Sequence, residues 1–396
     1  MKYILYALLP VVFFCSCNNA GNPADRSAGE AAAAPPAENE VADSTVAAPP
    51  PPPALPSKPT TTAPPTMDKN AVTSVKILYG TDRKMITEKG QPSYGNVPAE
   101  PGSPRYSVGY TVVSVPPNHK EGNIETPSIW KLQFREDTTK HMVQKTITKL
   151  SDNDFNKMLY DAGKGEDAFI FIHGYNNSFK DAALRTAQLA TDIHLPVTPI
   201  MFSWSSNCKL ASYTVDEDNV QLAVPAFKDF IKRVAQKGNF RKVHLIAHSM
   251  GNRLVCMAMQ QLQQDTTNLK IDQIIMAAPD VYADLFKLNF AEALARKSQR
   301  ITIYAAKNDW ALLVSKKVHK NLRLGEISQP PPVYVFNRVD IIDAVKEKTD
   351  FLGHDRFARS PKIIADMDKI LKLGADAGSR NIPKRMIGNY LYYYFN

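Results

Sequence analysis

KVHLIAHSMGNRLVCMAMQQL, residues 242–262, is the stretch on which the fold turns. KVHLIA is an apolar-rich run of strand length, and GNRLVCM opens a helix. Between them AHSMG (247–251) matches the pattern G-x-S-x-G except at its first position, where Ala247 stands. In that pattern a serine sits on a tight strand-to-helix turn that exposes its hydroxyl, and small flanking residues relieve crowding. Ala247 carries one methyl group and Gly251 no side chain, so both flanks stay small. The helix start also brings backbone N–H groups and the positive end of the helix dipole to the same point. Ser249 is therefore a candidate nucleophile, and the N–H of Met250 a candidate oxyanion donor. The competing reading, a serine that only caps a helix, predicts no acid or histidine at later strand ends.

Outward from this stretch, strand-like and helix-like segments alternate. AFIFIHG (168–174) precedes the amphipathic FKDAALRTAQLATDI, and VTPIMFSW (197–204) precedes VQLAVPAFKDFIKRVAQKG, where Pro225 kinks the helix or delays its start. KIDQIIMAAPD (270–280) leads to ADLFKLNFAEALARK, RITIYAAKND (300–309) to WALLVSKKVHKNL, and PVYVFNRVD (332–340) closes the series. Ser360, Pro361 and Gly374 punctuate the last helix, KIIADMDKILKLG. Apolar strands separated by helices predict an α/β fold with a mostly parallel central sheet and helices on both faces. SVKILYG (74–80) and YSVGYTVVSVP (106–116) have no helix between them and predict an antiparallel start.

In such sheets the reactive groups lie beyond the carboxyl ends of the strands. FIFIHGYNNSF ends a strand at His173–Gly174, where a glycine permits close backbone approach. The N–H of Tyr175 is the second candidate oxyanion donor, with His173 expected to brace the loop by hydrogen bonding. Two acids follow the serine at strand ends, Asp280 after IIMAAP and Asp309 after ITIYAAKN. Asp309, two strands beyond the nucleophile strand, is preferred; Asp280 remains an alternative acid or a loop-stabilising carboxylate. Of the eight histidines, His354 in DFLGHDRFARSP lies on a loop after the last strand of the series, as the serine–acid–histidine chain order requires. His248 adjoins the serine but points to the opposite face, which suits packing or support. The expected chemistry is proton removal from Ser249 by His354, with Asp309 orienting the imidazole and the two N–H groups holding the oxyanion. No zinc-ligand spacing or phosphate-cradling glycine loop occurs, so no metal and no cofactor are expected.

Ahead of this series the composition changes. Lys2 and the apolar run YILYALLPVVFF precede FCSC (14–17), which resembles a bacterial lipoprotein cleavage and lipidation site with Cys17 as the acylated residue, although Phe14 replaces the usual leucine. A plain secretory signal or an uncleaved anchor is the alternative. Residues 18–70 hold AAAAPPAE, VAAPPPPPALPSKP and TTTAPPT, too poor in large apolar side chains to form a core. The expected organisation is thus a signal peptide over 1–16, a Pro/Ala-rich tether over 17–70 and a folded domain over 71–396. It implies a domain held by a lipid anchor at a membrane of the bacterial cell envelope, outside the cytoplasm. The remaining cysteines, Cys208 and Cys256, make no disulfide framework. The net charge of +9 is spread over scattered basic residues, which argues against nucleic acid as a partner.

Several motifs together carry a family resemblance. ILYGTDRK, YTVVSVPPNHKEGNIETP, FIHGYNNSF, LIAHSMGNR, MAAPD, KNDWALLVS, LRLGE and GHDRF resemble the bacterial α/β-hydrolase family once catalogued only as a domain of unknown function, DUF900, over about residues 74–358. The resemblance implies an α/β-hydrolase fold and a serine hydrolase site, with Ser249 as nucleophile and His354 at the family's histidine. Both Asp309 and Asp280 match family aspartates, so it leaves the acid open. Members often carry glycine where Ala247 stands. The leading expectation is hydrolysis of a carboxylic ester or related small acyl compound. Amide or peptide hydrolysis by the same triad, or a non-catalytic envelope lipoprotein using the scaffold for binding, are the alternatives.

Overall fold

In the computed structural model, the described residues are 71–88, 90–127, 135–209, 212–265, 269, 271–305, 322–326, 338–344, 356–387 and 390–395. The signal, the tether, Cys17, Asp309 and His354 all lie outside them.

The strands are β1 (Thr73–Thr81), β2 (Arg83–Glu88), β3 (Gln91–Pro98), β4 (Ser107–Val115), β5 (Val143–Lys149), β6 (Asp167–Ile172), β7 (Val197–Ser203), β8 (Lys242–His248), β9 (Ile271–Ala277), β10 (Ser298–Ala305), β11 (Val339–Asp343), β12 (Lys384–Ile387) and β13 (Tyr390–Tyr394). All but β2 and β3 join one sheet, in the order β12-β13-β11-β10-β9-β8-β6-β7-β1-β4-β5. From β13 to β1 every neighbouring pair is parallel. The antiparallel pairs lie at the two margins, β1–β4–β5 and β12–β13. The antiparallel start expected from residues 74–116 is therefore present, and this is an α/β-hydrolase fold with a mostly parallel sheet.

Every residue of β6 is buried, which explains its unbroken apolar run. Its side chains alternate between faces. Ala168, Ile170 and Ile172 join a core with α3 (Tyr213–Leu222), α4 (Val224–Lys237) and α5 (Gly251–Gln263), whereas Phe169 and Phe171 join Ile363, Met367 and Ile370 of the helix Pro361–Leu373. A third cluster covers β1 with Phe179, Ala183 and Ala187 of α2 (Phe179–Asp192).

Helix boundaries follow local chemistry. Ser178 and Asp181 form a reciprocal capping box at the start of α2. The Ser360 hydroxyl accepts from the Ile363 N–H, and Gly374 ends that helix at φ 62°. The helical segment expected before KVHLI is in fact two helices. α3 ends at Ala223, and Pro225 lies in the first turn of α4, where its missing N–H costs nothing. α3 thus begins at Tyr213, ahead of the expected helical segment, in residues to which the alternating pattern assigns no element. The closing strand β11 begins at Val339, at the end of PVYVFNRVD. The tail YLYYYF supplies β13, which extends the sheet. Cys208 and Cys256 are free thiols. No helix among the described residues is long and apolar enough to cross a membrane.

Candidate active site

Ser249 follows β8 directly and precedes α5, with Met250 at the helix cap. Its φ is +51°, a region that costs an L-residue about 1–2 kcal/mol. The surroundings hold it there. The Ser249 N–H donates to Ala277 O at 2.9 Å, and its carbonyl accepts from the N–H groups of Asn252 at 3.0 Å and Asp280 at 3.2 Å. The Asn252 amide donates to the carbonyls of Ala247, Ser249 and Ala277 at 3.2, 3.1 and 3.3 Å. One side chain therefore ties the end of β8, the turn and the end of β9 together. Ala247 is fully buried, opposite Ile172 and Met276 in the neighbouring strands.

Two glycines let the segments close on one another. A methyl group on Gly251 would lie 2.4 Å from His173 O and 2.8 Å from Ile172 O. A methyl group on Gly174 would lie 2.8 Å from Ser249 Cβ and 3.1 Å from His248 Nδ1. The strand-end motifs HGY and AHSMG, 75 residues apart between Gly174 and Ser249, are thus in contact.

The loop after β6 is braced from below by Arg83, a residue quoted above only within TDRK. Its guanidinium is 1% exposed. Nε donates to Ser203 Oγ at 2.9 Å, Nη1 to Gly95 O at 3.1 Å and Ser206 O at 3.2 Å, and Nη2 to Asn177 O at 2.7 Å. Nη2 also lies 3.3 Å from His173 Nε2. His173 Nδ1 is 2.8 Å from Gly174 O. A carbonyl only accepts and a guanidinium only donates, so His173 is neutral with its proton on Nδ1. Burial first, then the Arg83 charge, pushes its pKa down to about 3. His173 is suited to holding the loop, not to taking a proton. Trp204 stacks on its ring at 5.1 Å between centroids and donates from Nε1 to His173 O at 2.8 Å. Tyr175 packs edge-on against Tyr213 at 5.4 Å between centroids.

On the other side of Ser249 stands Asp280, 2% exposed. Tyr213 donates its hydroxyl to Asp280 Oδ2. Arg253 donates from Nη2 to the same oxygen at 3.2 Å and from Nε to Asp280 O at 2.6 Å. Arg323 Nε lies 3.3 Å from Oδ1. The strip 322–326 clamps this loop: Leu324 N–H donates to Val281 O at 2.8 Å and Gly325 N–H to Pro279 O at 2.9 Å. MAAPD and LRLGE, separate motifs in the sequence, are structural partners. His248 stacks on Phe357 at 4.6 Å between centroids.

The described structure therefore brings together Ser249, Met250, Gly251, His173, Gly174, Tyr175 and Asp280. Asp309 and His354 fall outside it. Arg83, Asn252 and Arg253 were not singled out from sequence, although Arg83 stands just past the end of β1, where the strand-end rule applies.

The sequence profile of the family described as "Alpha/beta hydrolase of unknown function (DUF900)" matches residues 148–372. A curated but uncharacterized protein of Nostoc sp. strain PCC 7120 is 39% identical over 61 residues, 15% of this chain and 16% of that protein. A solved structure described as a predicted CIB-like hydrolase from Thermoplasma acidophilum has 15% identity and a TM-score of 0.32, over 57% of this chain and 90% of that one. A lipase-esterase related protein from Clostridium acetobutylicum has 12% identity and a TM-score of 0.31, over 52% and 94%.

Proposed function

Starting from a chain that belongs to the α/β-hydrolase family DUF900, we propose that it is a serine hydrolase of a carboxylic ester or related small acyl compound. The observation that carries this reading is the Ser249 turn. A non-glycine residue at positive φ, between β8 and α5, is held by four backbone and side-chain hydrogen bonds and faced by Gly174. Strain of this kind persists where surrounding structure over-determines it, which fits a nucleophile better than a simple cap.

In the mechanism, His354 takes the Ser249 proton as the hydroxyl attacks the acyl carbon, and returns it to the leaving group. The N–H groups of Met250 and Tyr175 stabilise the oxyanion, and Arg83 and His173 keep the Tyr175 loop against Ser249. Asp309 orients His354. The engagement of Asp280 with Tyr213, Arg253 and Arg323 favours its role as a loop-stabilising carboxylate, because Oδ2 already accepts from Tyr213 and Arg253 and Oδ1 is ion-paired with Arg323. Lipid attachment at Cys17 would place this chemistry at an envelope membrane.

The test is a panel of p-nitrophenyl esters of graded acyl length beside matched anilides. Ester turnover that Ser249→Ala lowers by about 10³-fold or more supports the reading. Anilide turnover exceeding ester turnover redirects it to amide hydrolysis, and no turnover of either by folded protein contradicts it.

A further inference from the structure

A cavity of about 360 Å³ lies between α3, α5, the segment 281–290 and the strip 322–326. Val220, Met257, Val281, Leu285 and Phe290 supply its apolar wall, and Glu217, Gln221, Tyr282, Arg253 and Arg323 its polar wall. Ser249 does not line it. The two arginines differ in how their donors are used. Arg253 is committed, donating to Glu217, Tyr213 and both ends of Asp280. Arg323 is 4% exposed, and its Nε approaches Asp280 Oδ1 as an ion pair at 3.3 Å without a hydrogen bond. Among the described residues no hydrogen bond reaches its guanidinium.

Buried polar groups in folded proteins are nearly always hydrogen-bonded, and a guanidinium fork is shaped to receive a carboxylate. A buried guanidinium without a hydrogen bond, at the wall of a largely apolar cavity whose one lining carboxylate, Glu217, is already paired with Arg253, matches a ligand with an anionic head and an apolar body. The volume is at the lower end of small-molecule sites, about 300–1,000 Å³, so the body is short. We propose that this cavity binds a medium-chain carboxylate, its carboxylate on Arg323 and its chain against Met257, Val281 and Phe290. The inference goes beyond the hydrolase reading, since binding requires no turnover. Arg253 and Asp280 link the site to the turn, because Asp280 N–H donates to Ser249 O.

The test uses the full-length chain with Ser249→Ala, so that any hydrolase activity is silent, and titration calorimetry with sodium octanoate. Saturable binding at one site is expected, with octanol and acetate each weaker by about tenfold or more. Arg323→Gln should weaken octanoate by a similar factor. Leu285→Trp fills the cavity from its rim without touching an ion pair, and decides the matter if Arg323→Gln does not fold; Leu285 is 39% exposed. Absence of saturable octanoate binding, or undiminished binding in Leu285→Trp, overturns the proposal.

Discussion

On the β7 side of the Ser249 turn, the Arg83 guanidinium ends in neutral acceptors: carbonyls of Gly95, Asn177 and Ser206, the hydroxyl of Ser203 and the ring of His173. On the β9 side, Arg253 converges with Arg323 on the carboxylate of Asp280, and Arg253 also pairs with Glu217. Both centres are buried and both fix a loop against the same serine. They differ in charge balance. Arg83 makes no ion pair among the described residues, and the carboxylates that act on it, Asp82 and Asp216, do so without direct contact. The β9 centre neutralises itself and acts as a clamp. A buried charge solvated by dipoles serves electrostatics, whereas a matched buried pair serves geometry and is weak evidence for stability.

The largest effect is expected at Arg83. Arg83→Met removes the common donor to acceptors in three segments, 95–96, 173–177 and 203–206. Ester turnover should fall about 100-fold and stability by about 3 kcal/mol or more, measured by steady-state kinetics and urea unfolding. Loss of stability with unchanged turnover per folded molecule would reduce Arg83 to scaffolding.

Asp280→Asn addresses the clamp. It leaves buried Arg323 without its anion and Arg253 with Glu217 alone, and should cost about 3–5 kcal/mol, while turnover by the folded fraction changes by less than about tenfold. A fall of about 10⁴-fold at preserved stability is the signature of a triad acid, and would transfer that role from Asp309 to Asp280.

Much of this contrast was hidden in the sequence, for physical reasons. β6 and β8 are buried on both faces, so their apolar runs announce a parallel sheet, and AHSMG is a local pattern. β2 is exposed along all but its first residue and carries no such signature. The pattern assigns no element to the start of α3 because its inward side is polar: Asp216 accepts from Ser206 Oγ at 2.5 Å and from Asn207 N–H at 2.7 Å, and Asn219 donates to Ser205 O at 2.8 Å. Arg83 reaches Ser203 across 120 positions of sequence, a separation no spacing rule registers. Pairing of MAAPD with LRLGE is equally non-local.

The neighbour of Arg83 sharpens the comparison through pH. Burial drives the Asp82 carboxyl up to about 6, against the opposing pull of Arg83 and the Ser205 hydroxyl. Its folded-state pKa lies above the unfolded value of about 3.9, so the unfolded chain gives up this proton first. This group's contribution is greatest at acid pH, declines as pH rises from about 4 to 6, and leaves a full ionisation cost above that. Asp82→Asn should therefore gain about 2–3 kcal/mol at pH 7.5, a gain that fades near pH 4, as read from urea midpoints at both pH values. A pH-independent difference would mean that Asp82 stays ionised beside Arg83. The smallest effect belongs to Trp204→Phe, which keeps the ring on His173 but loses the bond to His173 O. A cost of about 1 kcal/mol and a few-fold loss of turnover are expected from melting and kinetics.

The proposed hydrolase depends above all on Ser249 being an activated nucleophile. A fluorophosphonate probe followed by peptide mass spectrometry tests it directly. One phosphonyl adduct is expected, on Ser249, absent from Ser249→Ala at equal folded concentration. Folded protein that remains unlabelled, or an adduct on another residue that persists in Ser249→Ala, would contradict it.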